Sequence, residues 1–150
     1  MAELKDKGLE TLVVWQKAIQ FAKHICGVVI SQFPEQEKYA LASQIRRSAQ
    51  SVPANIAEGY GRFYFQEGIR FAYIARGSIE ETRSHLTYAH EMMYISNEDF
   101  DRIKLEIDEI KRLLNGYINY LKRTKRGVSE PGAQYFTQNH EIIDEPQPNP

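Results

Sequence analysis

Residues Gln44–Arg62 read QIRRSAQSVPANIAEGYGR, and the fold follows from how this stretch is read. Leu41, Ile45, Ala49, Val52 and Ile56 recur at steps of four, four, three and four residues, which places them on one face of an α-helix. Gln44, Ser48, Ser51, Asn55, Glu58 and Arg62 follow at four, three, four, three and four, so a polar stripe runs beside the apolar one. Pro53 interrupts both. It has no N–H to offer the Ala49 carbonyl, and its ring crowds that oxygen, at a cost of about 3 kcal/mol inside a helix. The apolar spacing continues to Ile56 all the same. The expectation is therefore a helix kinked at Pro53 and ended by a left-handed cap at Gly59 or Gly61. The proline either shapes packing against neighbouring helices or opens a polar niche made of the freed carbonyl and Asn55.

Upstream, a first helix is expected over about Leu12–Ser31, after a polar lead-in. Trp15, Ala18, Ala22, Ile25 and Val29 repeat at three, four, three and four, and Val14, Phe21 and Val28 widen the stripe towards burial on more than one side. Phe33 precedes Pro34, is pushed towards extended dihedrals and ends that helix. The second helix covers about Glu37–Tyr60. A third spans about Phe63–Met93, with Phe65, Ile69, Ala72, Ile79, Leu86, Ala89 and Met93 as apolar positions. Gly77 costs it about 1 kcal/mol relative to alanine, which points to close helix approach or a ligand. Arg76, Glu80 and Arg83 form a charged ridge beside the apolar stripe. Ser96, with Asp99 three residues on, marks the next N-cap.

In the fourth helix Phe100, Ile103, Ile107, Ile110, Leu114, Tyr117 and Leu121 alternate at three and four, the spacing of left-handed, nearly parallel or antiparallel packing. Lys122, Arg123, Lys125 and Arg126 close it, either balancing the helix dipole or meeting phosphate. The sum is an all-α, antiparallel up-down-up-down four-helix bundle over residues 1–126. An acidic, proline-punctuated tail, 127–150, is expected to be flexible and disordered. Within it, Tyr135-Phe136 and Ile142-Ile143 are able to dock on a neighbouring surface.

At 150 residues, 42% of them hydrophobic, one soluble domain is expected. A single cysteine, Cys26, excludes an intrachain disulfide and suits a reduced, cytoplasmic protein. MAELKDKGLETL has no apolar core of signal-peptide length and no run of about 20 apolar residues occurs, so neither a signal peptide nor a membrane span is expected. The net charge of −1 hides an asymmetry. Residues 1–126 hold all 19 Lys and Arg against 16 acids, a net of +3, whereas 127–150 hold four acids and no Lys or Arg. Such a body permits nucleic-acid contact but falls short of a dedicated binder.

Catalytic signatures are missing. Di-iron bundles need Glu-x-x-His pairs on two helices, and Glu81 with His85 is the wrong spacing and has no second pair. No P-loop, Gly-x-Gly-x-x-Gly or nucleophile elbow occurs, so no catalytic, cofactor or metal residue is assigned and no enzyme is expected.

LVVWQKA (Leu12–Ala18), FPEQEKYALASQIRRSAQSVPANIAEGYGR (Phe33–Arg62) and FAYIARGSIEET (Phe71–Thr82) resemble the four-helix-bundle protein family encoded in intervening sequences of bacterial 23S ribosomal RNA genes. The resemblance spans about residues 12–124. It implies a bundle that assembles as a homopentamer. More distantly it resembles the pentameric accessory protein of diversity-generating retroelements, which binds reverse transcriptase and nucleic acid. The pattern marks Trp15, Gln16, Gln44, Arg47, Pro53, Asn55, Glu58, Gly59, Arg62, Arg76, Gly77, Ser78 and Glu81, with Ser48 standing where the family often has alanine. It brings no established enzymatic activity, and the tail lies outside it.

Two stripes on the second helix and a wide apolar arc on the first exceed what a lone bundle hides, so self-association is expected. The leading reading is a homo-oligomer that binds RNA or a ribonucleoprotein partner, with Arg46, Arg47, Arg62, Arg70 and Arg126 on phosphate. The alternative is a protein-interaction adaptor, such as a reverse-transcriptase accessory protein, with no direct RNA role. For Gln44, Ser48, Ser51, Asn55, Glu58, Arg76 and Glu80 two readings remain, a binding site or an interface network that sets helix register.

Overall fold

The computed structural model describes residues 8–129. Four α-helices follow in order: α1 (Val13–His24), α2 (Leu41–Gly61), α3 (Phe65–Glu91) and α4 (Asn97–Thr124). No strand occurs among the described residues. The apolar series read on α2 and all seven apolar positions read on α4 are buried in one core. The Ser96 hydroxyl accepts from the Asp99 N–H at 3.1 Å and so caps α4, satisfying one of the orphan donors of its first turn.

Each helix packs on its neighbours in sequence, and α4 closes on α1. On the α2–α3 seam Ser48 meets Thr82 and Ser51 meets Ser78, while Gly59 lies against Gly68, so the two helices run in opposite directions. The α3–α4 pairs Glu80–Lys111, Arg76–Asn115 and Tyr73–Lys122 run the same way. Lys17–Glu109 and His24–Glu106 join α1 to α4.

Several local expectations change. The first helix keeps α geometry only to His24, then passes through a π turn at Ile25–Val29 and a 3-10 turn at Ile30–Gln32. The wider turn takes up an extra residue. Val28 consequently faces solvent, 51% exposed, while Val29 and Ile30 return to the core. Phe33 is extended before Pro34, as its sequence position requires. α2 begins at Leu41 rather than Glu37, because Glu35–Glu37 form a separate 3-10 turn. The Glu37 carboxylate accepts from the Leu41 N–H at 3.2 Å and from the Tyr94 hydroxyl at 3.3 Å, tying the start of α2 to the segment after α3.

α2 runs through a buried Pro53 to Gly61, and no glycine caps it. Arg62 stays right-handed and Phe63 takes the positive φ, 65°, because the next residues are pulled inward. Tyr64 and Phe65 are buried, and the Phe65 N–H donates to the Arg126 carbonyl at 2.8 Å. α3 likewise ends on a non-glycine. Met93 sits at φ 64° while the Tyr94 N–H reaches the Ala89 carbonyl and the Met93 N–H the His90 carbonyl, both at 2.9 Å. That is a Schellman closure, and it leaves Met93 89% exposed rather than on the apolar stripe.

Gly77 is not a point of helix approach within the chain: a Cβ there would meet nothing within 4 Å. The close crossing is at Gly59, where a Cβ would fall 2.8 Å from the Phe71 Cβ and 3.1 Å from the Gly68 Cα. Of the tail expected to be disordered, 127–150, residues 130–150 lie outside the described residues. Gly127, at φ 78°, packs on the Phe63 carbonyl.

Candidate nucleic-acid interface

The end of α2, the start of α3 and the end of α4 meet at one end of the bundle. There the Arg126 guanidinium lies 4.0 Å from the Phe63 ring centre and 4.3 Å from that of Tyr60, and it donates to the Tyr60 carbonyl at 3.0 Å. Arg62 and Arg70 flank Phe71 at 4.9 and 5.5 Å. The buried Glu67 carboxylate stands 3.8 Å from Arg62 and 3.7 Å from Arg70, and Glu58 is 3.1 Å from Arg62. Lys122, Arg123 and Lys125 are exposed on the last turn and cap of α4, with no carboxylate partner among the described residues. Arg123 reaches over Tyr120 at 5.9 Å, and Lys122 lies 3.4 Å from the Tyr73 hydroxyl.

Six cations face two carboxylates here, a local net of +4. The whole of residues 1–126 carries +3, so the positive charge of the body is concentrated at this end and the remainder is close to neutral. Cations held over partly exposed aromatic rings combine charge for phosphates with π-faces for bases, the pairing that single-stranded nucleic acid uses. Behind them, burial pushes the Tyr117 hydroxyl up to about 12, with Arg126 pulling it partly back.

Of the five arginines singled out in the sequence, Arg62, Arg70 and Arg126 come together. Arg46 and Arg47 do not: they are exposed on α2 fifteen residues or more before Arg62, about 22 Å away along the helix. Burial pushes the Cys26 thiol up, and Arg46 only partly offsets this by favouring the thiolate. The aromatic partners Tyr60, Phe63, Phe71 and Tyr120 escaped the sequence reading, although each stands within three residues of an arginine.

The polar stripe of α2 turns inward over much of its length. Ser48 and Thr82 are 2% and 0% exposed, and their hydroxyls meet at 2.8 Å. Ser51 meets Ser78 at 2.9 Å. Asn55 donates to the Ser51 carbonyl at 2.8 Å and to its hydroxyl at 2.9 Å. Asn55 thus binds its own helix one turn back rather than the Ala49 carbonyl. Gln44 and Glu58 are exposed, while Arg76 and Glu80 pair across to Asn115 and Lys111 on α4. The twelve residues therefore do not form one pocket. Nine of them divide among a basic end, a hydroxyl seam between α2 and α3, and an α3–α4 ridge, while Gln44, Arg46 and Arg47 are exposed on the first half of α2, apart from all three.

Among the described residues no group of three or more His, Cys, Asp or Glu side chains gathers as metal ligands would. No described helix is long and apolar enough to cross a membrane.

Comparison with known proteins agrees with this architecture. A crystal structure of a Bacteroides thetaiotaomicron protein of unknown function, from the S23 ribosomal protein family, superposes with a TM-score of 0.65 at 30% identity. The match covers 71% of this chain and 96% of that one. Among curated proteins, none matches. The family model of the 23S rRNA-intervening sequence protein matches residues 10–116, and the chain belongs to that family.

Proposed function

We propose that the chain is a non-enzymatic, homo-oligomeric bundle protein, a pentamer, that binds RNA or a ribonucleoprotein partner through its basic end. One observation carries the reading: the charge of the body collects where α2, α3 and α4 meet, interleaved with Tyr60, Phe63, Phe71 and Tyr120. An enzymatic role for Asn55, Glu58, Arg76 and Glu80 loses support, since these four point to different neighbours. Self-association is supported by apolar side chains left outside: Val13 on α1, Val28 in the π turn after it, Ile74 on α3 and Leu105 on α4. A reduced, cytoplasmic setting suits the single, part-buried Cys26.

Filter binding with a structured RNA, titrated with salt, tests the first part. Binding that weakens steeply with salt supports it, and no binding at low salt removes it. Light scattering tests the second: five copies of 17.4 kDa give about 87 kDa, whereas a particle of one chain's mass removes the oligomer.

The second reading, a protein-interaction adaptor, is favoured by Gly77. A glycine in mid-helix with open space around it costs stability without serving this chain's own packing, as a close-approaching partner would explain. A pull-down from nuclease-treated lysate that retains a partner supports the adaptor; loss of every partner on nuclease treatment supports RNA.

A further inference from the structure

We propose that residues 130–150 fold back onto the basic end of the bundle and compete there with RNA, an inference that rests on the RNA reading for its competitor though not for its contact. The last described residue, Ser129, follows directly on the cationic end of α4. The segment beyond it carries Glu130, Glu141, Asp144 and Glu145 and no Lys or Arg, opposite in sign to Arg62, Arg70, Lys122, Arg123, Lys125 and Arg126. Its charge of −4 matches the local +4.

Reach is ample. The three clustered acids lie 12 to 16 residues past Ser129, and at about 3.3 Å per residue such a length can reach as far as about 40 Å. The α4 cations occupy the helix's last turn and cap, and Arg126 lies over Phe63, the residue next to Arg62. Tethering at that length holds the acids at an effective concentration of order millimolar, so contacts that are weak between separate molecules become populated. The acids of EIIDE (Glu141–Glu145) bracket Ile142-Ile143, and Tyr135-Phe136 precedes them. Those apolar groups suit a surface where Phe63 and Tyr120 are 36% and 46% exposed. The tail thereby offers the same two things that a nucleic-acid strand offers: negative charge and flat or apolar groups.

Zero-length carbodiimide coupling of the full chain, read in the single-chain band, tests the contact without RNA. Crosslinks from Glu141, Asp144 or Glu145 should concentrate on Lys122 and Lys125 and disappear at high salt. No crosslinks, or crosslinks spread equally over Lys17, Lys23, Lys38 and Lys104, overturn the proposal. For the competition, a full-length chain with E130Q, E141Q, D144N and E145Q is titrated with a fluorescein-labelled oligouridylate. Its Kd should fall by about 3- to 10-fold at low salt, and the gap should close as salt rises. Crosslinks with an unchanged Kd overturn the competition. Crosslinks in a chain that binds no RNA at all leave the tail contact standing and remove the RNA reading instead.

Discussion

Replacing Gly59 and Gly77 by alanine, one at a time, should have unequal effects on stability. Both glycines lie inside helices, so each substitution gains about 1 kcal/mol of helix propensity. At Gly77 nothing stands within 4 Å of the new methyl, and the gain should appear nearly whole. At Gly59 the methyl would lie 2.8 Å from the Phe71 Cβ, 3.1 Å from the Gly68 Cα and 3.3 Å from its carbonyl oxygen. These are atoms of the opposing backbone or directly attached to it, so relief requires α2 and α3 to separate. Overpacking of this kind costs about 1–3 kcal/mol, which leaves Gly59→Ala between no net change and a loss of about 2 kcal/mol after the propensity gain. Gly68→Ala should fall between the two, because its methyl would meet the movable tip of Leu121 at 2.9 Å. Urea denaturation midpoints at unchanged m-value give the order directly. Gly59→Ala as stabilising as Gly77→Ala would refute the crossing.

Other substitutions test other parts of the account. Met93→Gly should stabilise by about 1 kcal/mol, since Met93 holds φ 64° and is 89% exposed, so little packing is lost; an unchanged midpoint would count against strain there. The Tyr117 hydroxyl is buried with no hydrogen-bond partner among the described residues and titrates at about 12 rather than 10.0. The unfolded chain therefore loses that proton first. Stability from this group is complete below about pH 10 and declines by about 2–3 kcal/mol as pH rises to 12. Tyr117→Phe should remove that decline in stability measured between pH 9 and 12 while costing little at pH 7. Thr82→Val deletes the hydroxyl that meets Ser48 and should cost about 1 kcal/mol by thermal melting, with no change in RNA binding.

Legibility followed the range of the interactions. The core series of α4 and the Ser96 cap depend on spacings of three and four residues, and both stand in the structure. The polar stripe of α2 was equally regular, but its meaning depended on Ser78 and Thr82, about 30 residues away, which receive Ser51 and Ser48. Periodicity alone could not separate a surface stripe from a buried seam. Helix ends misled for a related reason. Glycine is the easy left-handed residue, yet Phe63, Met93 and Lys125 take positive φ because tertiary packing or the closing hydrogen bonds demand the turn there. The π turn after His24 left no mark in the apolar spacing. At the candidate interface the arginines were found and their grouping was not: Arg46 and Arg47 share a helix with Arg62 but lie several turns from the end where the charge collects.

The salt dependence of RNA affinity tests most directly whether that end is the binding surface. The full-length chain is to be compared with a Lys122→Gln, Arg123→Gln, Lys125→Gln variant, whose side chains are exposed and leave the core intact. Each lost phosphate contact should flatten the log–log slope by about 0.7 on a single strand, so the triple variant should be shallower by about 2. Arg46→Gln with Arg47→Gln should leave the slope unchanged. A triple variant with the original slope, or a flattened slope in the Arg46 and Arg47 pair, would contradict the assignment.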